Sequence, residues 1–240
     1  MMPVNHHPMD AEWLERYSRQ ILLKEVGGRG QQRLNQATVG IVGAGLMGTP
    51  LILYLAAAGV GHLVVMDTER AAPACAAVQA LNPWVQTTAV DTPSSPEQTT
   101  RQMTSWTVAV LADGEPATRQ RVNQGALQAG KTLLAGWPMG PLYAMATTRA
   151  GHDPRAPCLL CAEWSCATAP APPSPDPILT RLGAGVIGSL LAMETIKSLL
   201  DNTHGLWYSA LVFYPGEGRY DAMPVQKNPV CPACCDHSHA

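Results

Sequence analysis

Residues Thr38 to Val42, TVGIV, run directly into Gly43-Ala44-Gly45-Leu46-Met47-Gly48. The first five form a short apolar run, as expected of a strand buried on both faces. Glycine at 43, 45 and 48 allows a tight turn, close approach of backbone to a phosphate, and close helix packing. The helix that follows extends to about Ala58 and is closed by Gly59. Its free N–H groups and positive dipole end face the same phosphate. His62 to Met66, HLVVM, is the next strand, and it ends at Asp67. That acid lies 19 residues past Gly48, where a carboxylate can grip a ribose hydroxyl. The whole is a βαβ unit suited to a nucleotide. The motif does not distinguish NAD from ATP.

Upstream, residues 10 to 24 carry Trp13, Leu14, Tyr17, Ile21 and Leu22 at helical spacing, with Arg16, Arg19 and Lys24 between them. This predicts an amphipathic helix, ended by Gly27, Gly28 and Gly30. A short helix near Gln31 to Asn35 leads into the first strand. Downstream, a helix covers Ala74 to Leu81 and stops at Pro83. Thr107 to Leu111 is a buried strand followed by Asp113. Ala117 to Ala129 is a helix, and Lys131 to Ala135 a strand. The alternation predicts an α/β fold: a Rossmann-like, mostly parallel sheet with helices on both faces.

From residue 151 the character changes. Ala162 to Pro177 holds Pro170, Pro172, Pro173, Pro175 and Pro177, and reads as a mobile loop of about 162–180. Gly185 to Leu200 is a helix. Trp207 to Tyr214 and Arg219 to Val225 flank a turn at 215–218 and read as a hairpin. The chain is expected to be a single domain over 1–240, with residues 10–150 as the nucleotide-binding half.

The net charge of −2 gives no case for nucleic acid or an anionic membrane as partner. Met1 to Asp10 contains no apolar run, and Leu51 to Val60 is too short to span a bilayer. A cytoplasmic protein is expected. Charged residues are only 14% of the chain, so part of the surface is expected to be covered in an oligomer.

Seven cysteines in such a chain point to metal or structural thiols before disulfides. Cys158-Leu-Leu-Cys161 and Cys231-Pro-Ala-Cys234 are CxxC pairs 69 residues apart. Two such turns complete a tetrahedral all-thiolate zinc site, closed and therefore structural. Two redox pairs or two disulfides are the alternatives. Neither CxxC is expected to open a helix, as a thioredoxin-like pair does. Cys235 abuts Cys234 and could compete as a ligand. Cys75 reads as a buried small apolar residue, and Cys166 as inert.

Further segments arrive in a particular order. They are Arg16-Tyr17-Ser18-Arg19-Gln20, the IVGAGLMGTP loop, LNP at 81–83, TRxxVN at 118–123, PCLLC at 157–161, GVIGSLLAMETIK at 185–197 and NPVCPAC at 228–234. Together they resemble the MoeB, ThiF and HesA family of ubiquitin-activating-type adenylyltransferases. The resemblance implies binding of MgATP and adenylation of the C-terminal carboxylate of a small ubiquitin-like sulfur carrier ending in Gly-Gly. It implies that Gly43, Gly45 and Gly48 line the phosphates, Asp67 the ribose, and Asp113 the magnesium. It implies that Arg19 reaches the phosphates of the neighbouring subunit in a homodimer, and that residues 151–240 form a zinc-bound, carrier-binding half. By residue type alone, Arg19 reads as a solvated helix face and Asp113 as a helix N-cap.

Three departures stand out. Only Thr68-Glu69-Arg70 follows Asp67, where the family carries a longer segment whose Asn, Arg and Lys contact ATP; Arg70 is the remaining stand-in. Ser174 occupies the place of the family's cysteine. Ala112-Asp113-Gly114 replaces the usual TDN. These departures raise a second reading, a catalytically weakened relative that serves as a binding or scaffold subunit. A third, an NAD-dependent oxidoreductase, explains the glycine loop and Asp67 but neither RYSRQ nor the paired CxxC.

Overall fold

The computed structural model describes residues 10–153, 155–170, 176–201, 206 and 208–235. The strands are β1 Thr38–Val42, β2 His62–Met66, β3 Gln86–Val90, β4 Val108–Ala112, β5 Leu133–Met139, β6 Leu142–Thr148, β7 Ser209–Tyr214 and β8 Arg219–Pro224. The helices are α1 Ala11–Ile21, α2 Gly27–Gln36, α3 Gly48–Ala58, α4 Ala71–Leu81, α5 Pro96–Met103, α6 Pro116–Gln128, α7 Leu159–Cys166 and α8 Pro177–Leu199. All eight strands join one sheet in the order β3-β2-β1-β4-β5-β6-β7-β8. Strands β3 through β5 are mutually parallel, and β5 through β8 continue antiparallel. The chain leaves β1 toward β2 and β3, then crosses back to β4 on the other side of β1. That reversal is a topological switch point, where open α/β sheets bind their ligands.

Alternation along the central strands sorts side chains to two cores. Val108, Val110 and Ala112 of β4 join Leu51, Leu55, Val78, Ile187 and Leu191 on the α3, α4 and α8 face. Ala109 and Leu111 join Met103, Val122, Leu159 and Cys161 on the α5, α6 and α7 face. α8 is long and apolar enough to cross a membrane by composition, yet half of its apolar window is buried inside the protein. It packs on β4, β5 and β6 as a core helix.

Several expectations need correction. Gly27, Gly28 and Gly30 do not end the first helix but begin α2, and a Cβ at Gly30 would stand 2.9 Å from the Leu200 side chain. β3, α5 and β6 were not expected. β3 is a sheet-edge strand, half-exposed and rich in Thr, so it carries little apolar pattern. β6 is buried throughout and follows β5 by a two-residue turn at Gly140, whose φ is +62°. β5 runs on to Met139 through Pro138, because β4 pairs with it only as far as Gly136. Pro138 thus has no ladder partner there to donate to. The proline-rich loop is narrower than 162–180. Residues 162–166 belong to α7, and Pro177 starts α8 at a position that needs no N–H donor. Asp176 caps that helix through Ile178 and Leu179 amides at 2.8 and 3.1 Å. Ser174 lies outside the described residues.

Gly188 sits where α8 crosses the glycine loop. A Cβ there would overlap the Met47 carbonyl oxygen and come within 2.8 Å of Pro50. Gly188→Ala must therefore push a 23-residue helix off its seat. We expect a loss of about 1–3 kcal/mol from overpacking, read as a melting midpoint lowered by about 3–10 °C. An unchanged midpoint would show that the helix and loop are not seated on each other as described.

Candidate functional site

The C-terminal ends of β1, β2 and β4 meet at the switch point. Gly43 leaves β1 with φ at +97°, and a Cβ on it would come within 2.5 Å of the Ala112 carbonyl and 3.2 Å of Asp113 Cβ. The same backbone turn brings Gly48 under the Gly43 carbonyl with no room for a Cβ. Glycine at 43 and 48 is thus demanded by the fold. Gly45 is different, since a Cβ there would meet nothing, and neighbouring Leu46 is exposed. The outer side of the loop faces open space at the start of α3. Met47, the residue ahead of α3, gives it no side-chain cap; the Thr49 amide bonds the Gly45 carbonyl at 2.9 Å and Pro50 carries no N–H, so the Gly48 amide is what the first turn can offer a ligand or water.

Asp67 is tied into this loop more tightly than a ribose clamp requires. Its Oδ2 accepts from the Ala44 amide at 3.0 Å. Its Oδ1 accepts from the amides of Glu69 at 3.1 Å and Arg70 at 2.9 Å. Burial alone would raise its pKa; the Ala44, Arg70 and Glu69 amides and the Arg70 charge outweigh it and hold the carboxyl below its ordinary value. A carboxylate offers about four acceptor sites, so one remains for a hydroxyl. Asp113 is half-buried beside Gly43, and its Oδ1 accepts from the Glu115 amide at 2.8 Å. It does not cap α6. Glu115 does, accepting from Ala117 and Thr118 amides at 3.1 and 2.6 Å. Arg70 immediately precedes α4, exposed, with its backbone held by Asp67. The structure thus gathers Gly43, Gly45, Gly48, Asp67, Asp113 and Arg70 at one end of the sheet.

Arg19 belongs to a different neighbourhood. It is exposed in the last turn of α1 and makes no ion pair among the described residues. The rest of its motif is structural. Arg16 donates to the Leu81 carbonyl at 2.7 Å and lies over the Trp84 ring. The Tyr17 hydroxyl accepts from Asn82 at 2.7 Å, and Asn82 also donates to the Ala56 carbonyl at 2.6 Å. Asn82 is fully buried. The RYSRQ and LNP segments are therefore one contact that docks α1 against the ends of α3 and α4. Sequence order alone could not show that they touch.

On the other face, Cys158, Cys161, Cys231 and Cys234 place their sulfurs within 4.8 Å of one another. Successive separations are 4.0, 3.7 and 3.7 Å. A tetrahedral ion with bonds of about 2.3 Å requires sulfurs about 3.8 Å apart, so the four fit one soft dication. A hydrogen bond from Cys158 holds the Cys161 thiol far below its ordinary pKa against the effect of burial, with the Asn228 amide assisting. Cys235 is turned away and meets the Asn228 carbonyl at 3.2 Å. Contrary to expectation, the first CxxC does open a helix, with Cys158 directly ahead of α7. The second thiol pair at the same point marks it as part of a cluster. Burial, with Glu163 nearby, pushes the Cys166 thiol up to about 12, which suits an inert residue. Cys75 is buried in the core.

A cavity of about 830 Å³ lies at the opposite end of the strands, between Thr107, Thr132, Arg149, His152 and Tyr208. It shares no wall with the glycine loop.

The ThiF family model matches residues 17–74 and 68–233. The chain belongs to the ThiF family. The two matched segments meet at 68–74, directly after Asp67. Among curated relatives, the chain is 32% identical to the sulfur carrier protein adenylyltransferase of Thermus thermophilus, over 94% of this chain and 92% of that one. It is 34% identical to the SAMP-activating enzyme E1 of Haloferax volcanii, over 94% and 90%. Among solved structures, Escherichia coli MccB with ATP superposes with a TM-score of 0.72 at 16% identity, covering 91% of this chain and 74% of that one. That likeness shows a shared fold. With relatives of this kind along almost its whole length, the chain is placed among adenylyltransferases.

Proposed function

We propose that this protein uses MgATP to adenylate the C-terminal carboxylate of a small ubiquitin-like sulfur carrier ending in Gly-Gly, acting as a cytoplasmic homodimer with zinc in the cysteine cluster. The observation that carries this reading is the meeting of the glycine loop, Asp67 and Asp113 at the switch point, in a chain so similar to a sulfur carrier protein adenylyltransferase. A carboxylate is a poor electrophile until one of its oxygens attacks the α-phosphorus of ATP and displaces pyrophosphate. The protein's part is positioning and electrostatic. The backbone after Gly43 and the start of α3 receive the phosphates. Asp67 shapes that loop and keeps one acceptor site for the ribose. Asp113 would hold magnesium, which would neutralise charge on the phosphates and the leaving pyrophosphate.

Asp67 and the turn Thr68-Glu69-Arg70 are all that separates β2 from α4. It leaves Arg70 as the cation nearest Asp67, and this favours the second reading, a weakened relative acting as a scaffold. Two lost charge-assisted contacts of about 1.5–3 kcal/mol each would weaken ATP binding by about two to four decades. Arg70, with its forked guanidinium, can recover part of that. ATP–pyrophosphate exchange with a Gly-Gly carrier tests both readings. Wild type is expected to exchange at millimolar ATP, and Arg70→Ala to need about tenfold more ATP. No exchange and no ATP binding would leave the scaffold reading. Brisk exchange that Arg70→Ala leaves unchanged would remove Arg70 from the site.

Arg19 supports the homodimer, because it is exposed and no ion pair in its own chain engages it among the described residues. If it serves the neighbouring subunit, Arg19→Ala and Asp113→Ala should each be inactive alone. Mixed under conditions that exchange subunits, they should regain activity through dimers carrying one intact site. No recovery on mixing, with both variants dimeric, would remove Arg19 from the partner's site.

A further inference from the structure

The cysteine cluster and the Asp113 turn are joined by one continuous set of side-chain contacts, running along one face of α6. Asn123 receives the Leu159 amide at 3.1 Å and donates to Cys158 Sγ at 3.6 Å. It thereby holds the first turn of α7 and a cluster thiol together. One helical turn earlier on the same face, Arg119 Nε donates to Glu163 Oε1 of α7 at 2.6 Å. The other arm of the same guanidinium, Nη1, donates to the Gly114 carbonyl at 2.6 Å. Gly114 sits between Asp113 and Glu115, whose amide holds Asp113 Oδ1. The ion pair is mostly buried, its side chains 14% and 23% exposed, so it is not the screened, mobile kind found on open surfaces. A planar fork gripping two acceptors fixes one geometry between them.

We infer that Arg119 is a positioning residue that transmits metal occupancy at Cys158, Cys161, Cys231 and Cys234 to the carboxylate of Asp113. The relay is α7, Glu163, Arg119 and the Gly114 carbonyl. It rests on the reading that the cluster holds zinc and that Asp113 serves the adenylation centre. With the ion bound, Cys158 and Cys161 fix the start of α7, so Glu163 is held one turn further on. Glu163 orients the guanidinium, and the guanidinium orients the peptide between Asp113 and Glu115. The zinc then does more than secure the tail: it presets the residue proposed to anchor magnesium, just ahead of α6. The i, i+4 spacing of Arg119 and Asn123 is what the TRxxVN segment supplies.

The Glu115 amide reports the relay directly, since its protection requires Asp113 Oδ1 in place. Its hydrogen exchange is to be measured by NMR in zinc-loaded wild type, zinc-stripped wild type, Arg119→Met, Arg119→Lys and Glu163→Gln. Loss of one such hydrogen bond corresponds to about tenfold in the opening equilibrium. Zinc removal and Arg119→Met should each raise Glu115 exchange about tenfold, and the two together no more than either alone. Arg119→Lys should fall between, because an ammonium cannot span both acceptors. In the exchange assay, Arg119→Met should raise the magnesium requirement and lower kcat with the KM for carrier unchanged. Glu115 exchange indifferent to zinc, or effects that simply add, would overturn the relay. If stripping unfolds the chain, the zinc-loaded variants decide: no rise in Arg119→Met or Glu163→Gln sinks it. A cluster that takes up no zinc overturns the proposal together with the zinc reading. The expected coupling without any pyrophosphate exchange supports the relay and rejects only the adenylation reading.

Discussion

Cys161→Ser is expected to lose the zinc and much of the folded population with it. Cys161 is buried against the α6 and α7 core, and its sulfur lies 4.0 Å from Cys158 and 3.7 Å from Cys234. A serine there leaves a buried hydroxyl among three thiols and a site one ligand short. Structural zinc sites contribute apparent free energies of about 10–16 kcal/mol in isolated fingers, against a total domain stability of about 5–15 kcal/mol. Losing even about 4 kcal/mol of that lowers the melting midpoint of a domain this size by about 10 °C. The damage should begin where the cluster ties segments together, at α7 and residues 228–235, while β1 to β4 hold longest. Elemental analysis and thermal melting check this together. Wild type should carry close to one zinc per chain and the variant close to none. Wild type free of zinc, or a variant that melts as wild type does, would end the metal-site reading.

Asp113→Asn is expected to lower ATP–pyrophosphate exchange at least 100-fold, about 2.7 kcal/mol in transition-state stabilisation. Asparagine is the informative change. Its side-chain oxygen can still accept from the Glu115 amide, as Asp113 does at 2.8 Å, so the turn keeps its shape. Only the negative charge is lost, and that charge is what a magnesium ion needs. Asp113→Ala removes both and should be at least as severe. The melting midpoint of Asp113→Asn should stay near that of wild type, because the residue is half-buried at a crevice edge. A small recovery at high magnesium would show that the charge acts on the metal. Exchange within about twofold of wild type would show that Asp113 is not the anchor.

The sequence by itself determined the elements whose causes are local. The strand, glycine loop, helix and second strand from Thr38 to Asp67 read correctly because apolar runs, three glycines and a closing Gly59 are local signals. The C-terminal hairpin was legible for the same reason. The cysteine pairs announced a cluster because thiols two residues apart can face one ion wherever the chain takes them. The tertiary structure decided the rest. β3 is a strand because β2 offers it an edge, its own residues having little apolar alternation. Gly30 and Gly188 lie inside helices because another element passes too close for a Cβ. Asp67 carries the fitness of a ribose ligand in its sequence position, but folding spends three of its acceptor sites on the loop that it supports. Tyr17 and Asn82, 65 residues apart, are one hydrogen bond, and Arg119 and Glu163, 44 apart, one ion pair. No pattern along the chain encodes such pairs, because each depends on where the sheet has already brought the two backbones.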